Sequence, residues 1–209
     1  MNAFEYLFFI SSYICIVPIC FYVIYFKYVN KEFNKVFIYV IFCFLLELVL
    51  NINRTYNLAN LTFLLYLFVY FEATIFLYFF KKYLDKTIFI ILNSAILLLF
   101  VVFLAEFLFQ YKSNINIHFG AGRIILLLIS INVILTGFNR KIDSWLRLLN
   151  YSLLQYSLMG ITIYSFTEFF IINKEYVMYY YTINAISNIL FYLLITLSIL
   201  KCKNQYSQV

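Results

Sequence analysis

LELVLNINRTYNLANLTFLLYLFVYFEATIFLYFF, residues 46–80, holds two strongly apolar runs that meet at a short Asn/Arg/Thr turn. Each run carries one carboxylate, Glu47 before the turn and Glu72 after it. If the first run stays helical to Arg54, then Glu47, Asn51 and Arg54 are spaced i, i+4 and i+7 and form one polar stripe on one helix face. Glu72 has apolar chain from Leu61 to Phe71 on one side and from Ala73 to Phe80 on the other, which places it near the middle of a membrane span. Such a carboxyl is expected to be protonated, hydrogen-bonded or in water.

The rest of the chain has the same character. Of 209 residues, 66% are hydrophobic and 11% charged, and the mean hydropathy is +0.94. Too little polar side chain remains to clothe a soluble globule, so the chain belongs in a bilayer. The length fits one transmembrane helical domain over residues 1–209, with short loops and a tail of about Lys201 to Val209. Phe (26) and Tyr (21) are abundant and Gly (4), Pro (1) and Trp (1) scarce, a bias that an A+T-rich genome also produces. The first apolar run lacks a basic n-region and a small-x-small cleavage site, and reads as a retained span rather than a signal peptide.

Seven spans are expected, from about Tyr6 to Phe26, Val36 to Ile52, Leu61 to Phe80, Thr87 to Phe109, Phe119 to Phe138, Trp145 to Ile172 and Val177 to Leu200. The fifth is the weakest, because Gly120, Gly122 and Arg123 fall in its first turns. Charge decides in its favour. With seven crossings, 11 of the 15 basic residues fall on one side: Lys27, Lys31, Lys35, Lys81, Lys82, Lys86, Arg140, Lys141, Arg147, Lys201 and Lys203. That asymmetry in short loops predicts the N-terminus outside and the C-terminus in the cytoplasm. The +6 charge then forms a cytoplasmic rim facing anionic headgroups and not a nucleic-acid patch. Tyr25, Tyr28, Trp145, Tyr176 and Tyr179 to Tyr181 fall where interface anchors sit.

In this frame Glu47, Asn51 and Arg54, Glu106, Arg123, Glu168 and Asn184 all lie in the outer third of the membrane. A centred charge costs about 2.5–3.5 kcal/mol on insertion scales, so such groups face the bundle interior and pair. One reading is an outward-facing polar pocket, in which Arg54 and Arg123 balance Glu47, Glu106 and Glu168 and leave room for a small polar or zwitterionic ligand. The other is a set of helix-end residues that snorkel or hold the bundle together as ion pairs. At the depth of Glu72, Gln155, Asn188 and Ser187 are candidate partners, and Asn132 is candidate glue between helices.

Most catalytic chemistry is closed by absence. The single histidine, His118, falls in an outer loop, which excludes HExxH and three-histidine zinc sites. There is no GxSxG sequence, and Asp85 and Asp143 fall in cytoplasmic loops, so an intramembrane aspartyl dyad is not available. Lys201, the last span's only lysine, sits at its end and not where a retinal Schiff base would. Cys15, Cys20, Cys43 and Cys202 make no CxxC pair, and no metal or cofactor is expected. Cys202, between two lysines, could be palmitoylated. The sequons at Asn53 and Asn60 read as coincidence in a bacterial chain.

The carboxylate late in span two (Glu47), the Asn-containing turn, the carboxylate in span three followed by Tyr/Phe (Glu72 to Phe80) and the segment Asn188 to Tyr192 resemble a large group of uncharacterised small seven-span membrane proteins common in Bacteroidetes. In size and style the chain is also similar to accessory membrane proteins encoded beside Cas13b-type CRISPR effectors, which implies an accessory role in phage defence. Neither resemblance supplies a catalytic residue. The expectation is an all-α, seven-helix bundle in a bacterial cytoplasmic (inner) membrane, acting as a non-enzymatic sensor or accessory regulator. Its partners would be membrane lipids and a protein at the cytoplasmic face, with no direct nucleic-acid contact. A small-solute transporter or pore along Glu72, Gln155 and Asn188, or a membrane-lipid enzyme, are the alternatives.

Overall fold

The computed structural model describes residues 3–56, 61–109, 115–139, 142–173 and 176–206. Among these residues all regular structure is helical: α1 (Ala3–Tyr13), α2 (Ile16–Tyr25), α3 (Asn34–Tyr56), α4 (Thr62–Phe80), α5 (Lys86–Leu108), α6 (Ile115–Asn139), α7 (Ser144–Ser165), α8 (Thr167–Ile172) and α9 (Val177–Tyr206). The pairs α1/α2 and α7/α8 are each one helical segment with a break, so the segments number seven. The first break follows from Pro18, which has no N–H to offer the Ile14 carbonyl; the chain closes a tighter turn instead, with Val17 N–H donating to Ile14 O at 3.0 Å.

Six segments are long and apolar enough to cross a membrane: Tyr6–Tyr28, Lys31–Asn53, Phe63–Tyr83, Lys86–Leu108, Ile117–Phe138 and Val177–Gln205. The chain is therefore a multi-pass membrane protein of all-α architecture. The segment that falls short is α7, not the fifth that the glycines and Arg123 made look weak. Asn150, Ser152, Gln155 and Ser157 dilute its apolarity, and the structure shows how they are accommodated. Helix α7 packs most extensively against α6 and α9, and Asn150, Ser152, Leu153, Tyr156, Ser157 and Gly160 are all buried there. Its hydroxyls bond back to their own helix, Ser152 Oγ to Leu149 O and Ser157 Oγ to Leu153 O, both at 2.6 Å. Small residues satisfied in this way let helices approach closely without leaving an orphaned donor.

The outward faces are apolar in the same helical register. On α9, Ile186, Leu190, Leu193 and Leu197 are exposed while Ser187, Phe191, Ile195, Ser198 and Cys202 are buried; the first set faces lipid and the second the bundle. Helix α4 is the most enclosed of the six apolar segments, with 50% of its apolar window buried, and α5 the most peripheral at 17%.

The end of the bundle that carries most lysines is tied by specific contacts. Trp145 is 1% exposed and packs on Phe33 (ring centroids 5.6 Å) and Phe79 (6.5 Å), so it is a core residue and not an interface anchor. The Asn30 N–H points to Cys202 Sγ at 3.3 Å, Gln205 donates to Asp143 at 3.0 Å and Lys203 Nζ lies 4.1 Å from the Tyr25 ring centroid. Cys202 is fully buried, which removes it from the reach of palmitoylation.

Candidate functional site

Local packing brings α4 and α6 together first. A Cβ on Gly122 would stand 2.5 Å from Val69 Cγ1, so the absence of a side chain at 122 is what lets α6 lie against α4. Glu72 follows Val69 by three residues and Arg123 follows Gly122 directly, so close approach at one level presents the two charges to each other at the next. Arg123 Nη1 donates to Glu72 Oε2 at 2.7 Å, and both side chains are almost wholly buried, 5% and 3% exposed.

Tyrosines complete the pair. Tyr39 of α3 donates to the other carboxylate oxygen, Glu72 Oε1, at 2.6 Å. Arg123 Nη2 donates to Tyr156 of α7 at 2.6 Å, and its Cζ lies 3.8 Å from the centroid of that ring. Tyr156 in turn stacks on Phe191 of α9 at 4.2 Å and 13°. One layer thus runs Tyr39–Glu72–Arg123–Tyr156–Phe191 and fastens five helices. Room for the arginine arm on α7 comes from Gly160, where a Cβ would meet Arg123 Cδ at 2.7 Å. A buried pair of this kind contributes little net stability against an apolar substitute, but removing one partner costs about 3–5 kcal/mol because the other is left charged and dry.

Above this layer, towards the end at which α1 begins, lies a cavity of about 640 Å³. Its lining includes Arg123, Glu47, Ser11, Ser12, Asn184 and Asn188, with tyrosines 156, 164, 181 and 192, Phe8, Phe68 and Phe119 as walls and Cys15 and Cys43 among the apolar residues. The volume suits a small ligand, and the lining pairs an aromatic surface with a few converging polar groups. Beneath the layer Phe76, Leu77, Leu126, Ile129, Leu149, Leu153 and Ile195 are fully buried, with Ser130, Asn150 and Ser152 buried among them.

The structure brings some of the residues expected from sequence into this space and sends others elsewhere. Glu47, Arg123, Asn184 and Asn188 line the cavity. Helix α3 does continue through Arg54, and Asn51 donates to the Tyr13 hydroxyl at 3.2 Å. The side chains of Arg54 and Glu168 lie outside the described residues. Gln155 donates to Ser187 at 3.2 Å, beside α9, and is not among the Glu72 partners. Glu106 belongs to a second cluster: its Oε2 is 2.9 Å from His118 Nε2, and His118 Nδ1 is 2.7 Å from the Tyr70 hydroxyl. His118 is in α6 and 2% exposed, not in a loop, because the helix begins at Ile115. Sequence reasoning did not identify Tyr39 or Tyr156, because tyrosine is too common here to mark itself; Gly160, mid-span on α7, marks a close helix approach in the sequence but not the arginine that makes it.

Among the described residues no group of three His, Cys, Asp or Glu side chains is arranged to hold a metal. No protein-family model, curated protein or solved structure matches the chain.

Proposed function

We propose that this protein is a non-enzymatic membrane receptor, a sensor or accessory regulator, whose ligand is a small zwitterion bound in the cavity above Arg123. The observation that carries the reading is that Arg123 and Glu47, residues of opposite charge, both line one cavity of about 640 Å³ with aromatic walls. The anionic end of the ligand meets Arg123 and its cationic end is drawn to Glu47 and the tyrosine faces, which attract ammonium groups. An anion on Arg123 competes with Glu72, and Glu72 is bonded to α3 through Tyr39, so occupancy is felt across the layer that fastens the bundle. A chamber closed below by the buried Tyr39–Glu72–Arg123–Tyr156 layer suits a receptor better than a conduit.

The basic asymmetry of the loops supports a cavity open to the outside of a bacterial cytoplasmic membrane. It also supports a lysine-rich end in the cytoplasm that meets anionic lipid headgroups and a partner protein. The test is labelling of intact cells with a membrane-impermeant thiol reagent, after replacement of Cys15, Cys20, Cys43 and Cys202 and introduction of single cysteines at 47, 188 and 72. Labelling at 47 and 188 but not 72, blocked by a small zwitterion drawn from a panel of amino acids and betaines, is expected. No labelling at 47 or 188 refutes the wet pocket. Labelling at 72 favours a transporter, the reading that the buried Glu72–Arg123 pair below the cavity would then carry.

A further inference from the structure

The Tyr70–His118–Glu106 cluster lies apart from the cavity lining, and its hydrogen bonds can be counted. Tyr70 of α4 has one hydroxyl proton and two neighbours: the Leu99 carbonyl of α5, to which it donates at 3.0 Å, and His118 Nδ1 of α6 at 2.7 Å. With that proton on Leu99, Nδ1 must carry its own hydrogen and donate to Tyr70. The remaining contact, Nε2 to Glu106 Oε2 at 2.9 Å, then needs a further proton, held either on Nε2 of an imidazolium or on the Glu106 carboxyl. All three contacts are hydrogen bonds only when the cluster holds that proton.

Loss of the proton forces a specific rearrangement. The neutral imidazole keeps Nε2–H, donating to the carboxylate, and Nδ1 becomes an acceptor. Tyr70 turns its hydroxyl proton from Leu99 to Nδ1, and the bond between α4 and α5 is gone. We propose that Glu106, His118 and Tyr70 form a proton-binding site that latches α5 to the bundle, closed when one solvent proton is bound and open when it is released. Glu106, with 27% of its side chain exposed, is the path by which that proton comes and goes; the His118 side chain is 3% exposed. Among the described residues, the only other titratable group that faces His118 from α4 is Tyr66, edge-on at 5.0 Å. From α5 the neighbours are Glu106 and the apolar Phe103, 6.3 Å away. On α6 itself the next charge, Arg123, is committed to Glu72; residues 110–114, with Lys112, lie outside the described residues. Helix α5 is a suitable moving part, since it is the least buried of the apolar segments and packs chiefly on α4 and α6.

His118 is the chain's one histidine, so ¹⁵N-histidine labelling of the full-length protein in nanodiscs gives a single imidazole signal to follow across pH. The Leu99 carbonyl ¹³C shift, measured in the same titration, reports the Tyr70 bond. The expected result is one coincident step. On the acid side Nδ1 is protonated, the further proton is on Nε2 or Glu106, and the Leu99 carbonyl is bonded; on the alkaline side Nδ1 is bare, Nε2 protonated and the carbonyl released. Glu106→Gln should abolish the step, because the amide N–H donates to Nε2, the ring takes the Nδ1–H tautomer and Tyr70 stays on Leu99 at every pH. Tyr70→Phe should leave His118 titrating with no response at Leu99. A Leu99 carbonyl that stays constant while wild-type His118 changes protonation overturns the proposal, as does a step that survives in Glu106→Gln. If either variant fails to fold, coincidence or its absence in the wild-type protein decides.

Discussion

Replacing Gly160 by alanine tests whether the arginine layer holds the bundle as described, because two effects of opposite sign meet at this position. In a helix with open space, Gly→Ala stabilises by about 0.5–1 kcal/mol, since glycine loses more backbone freedom on folding. At 160 the new methyl would lie 2.7, 2.8 and 2.9 Å from Cδ, Cγ and Nε of Arg123, whereas carbon atoms settle at about 3.5–4.0 Å. The arm must retreat by about 1 Å. That would stretch the bonds to Glu72 and Tyr156, now 2.7 and 2.6 Å, to roughly 3.6 Å, past the range of an N–H···O hydrogen bond. Overpacking of this kind costs about 1–3 kcal/mol and outweighs the backbone gain, so a net loss of about 1–2 kcal/mol is expected. Gly120, with nothing within 4 Å, is the internal control, and Gly120→Ala should stabilise by about 0.5–1 kcal/mol. Trp145 is the only tryptophan and is buried, so its fluorescence during SDS titration in mixed micelles reports unfolding of the bundle. Gly160→Ala at or above wild-type stability would refute the reasoning. So would a loss that persists undiminished when Arg123 is also replaced by alanine.

Glu72→Gln should destabilise by about 3–5 kcal/mol by stranding the Arg123 charge, and Glu72→Leu with Arg123→Leu should recover most of it; a single variant as stable as wild type in the same titration would contradict the pairing. Gly122→Ala should cost about 1–3 kcal/mol, and Val69→Ala in the same chain should restore much of it by clearing the 2.5 Å approach, which a two-by-two stability comparison measures. Among the native thiols, a small maleimide applied to the detergent-solubilised protein should modify the exposed Cys20 well before the buried Cys202; mass spectrometry of the two peptides reads the order, and equal rates would mean that the contact between Asn30 and Cys202 does not form.

Six of the seven expected spans were legible because a bilayer demands runs of apolar residues whatever the packing between them, and the position of Glu72 could be counted along its own run. Its partner could not. Finding Arg123 needs the rotation of α6, and a helix apolar on nearly every face gives no periodicity from which to read rotation. Gly120–Ala121–Gly122 reads as a turn that permits close helix approach; Gly122 does lie against Val69, but inside a helix that begins at Ile115 and carries His118 inward. Glu47, Asn184 and Asn188 were placed by depth, and they share a cavity because α3 and α9 turn those faces to one another. Glu106 was placed at a similar depth, but α5 lies on the far side of α4 and turns it to His118.

The polarity of α7 also bears on how the protein is made. A helix with buried Asn150, Ser152 and Ser157 is poorly suited to leave the insertion machinery alone for lipid, and the neighbours that shelter it are α6, made before it, and α9, made after it. Its sheltered place in the bundle therefore depends on a helix synthesised after it. A chain terminated after Ile172 would present α7 with one sheltering side missing, and would be a substrate for membrane quality control rather than a six-segment version of the same protein.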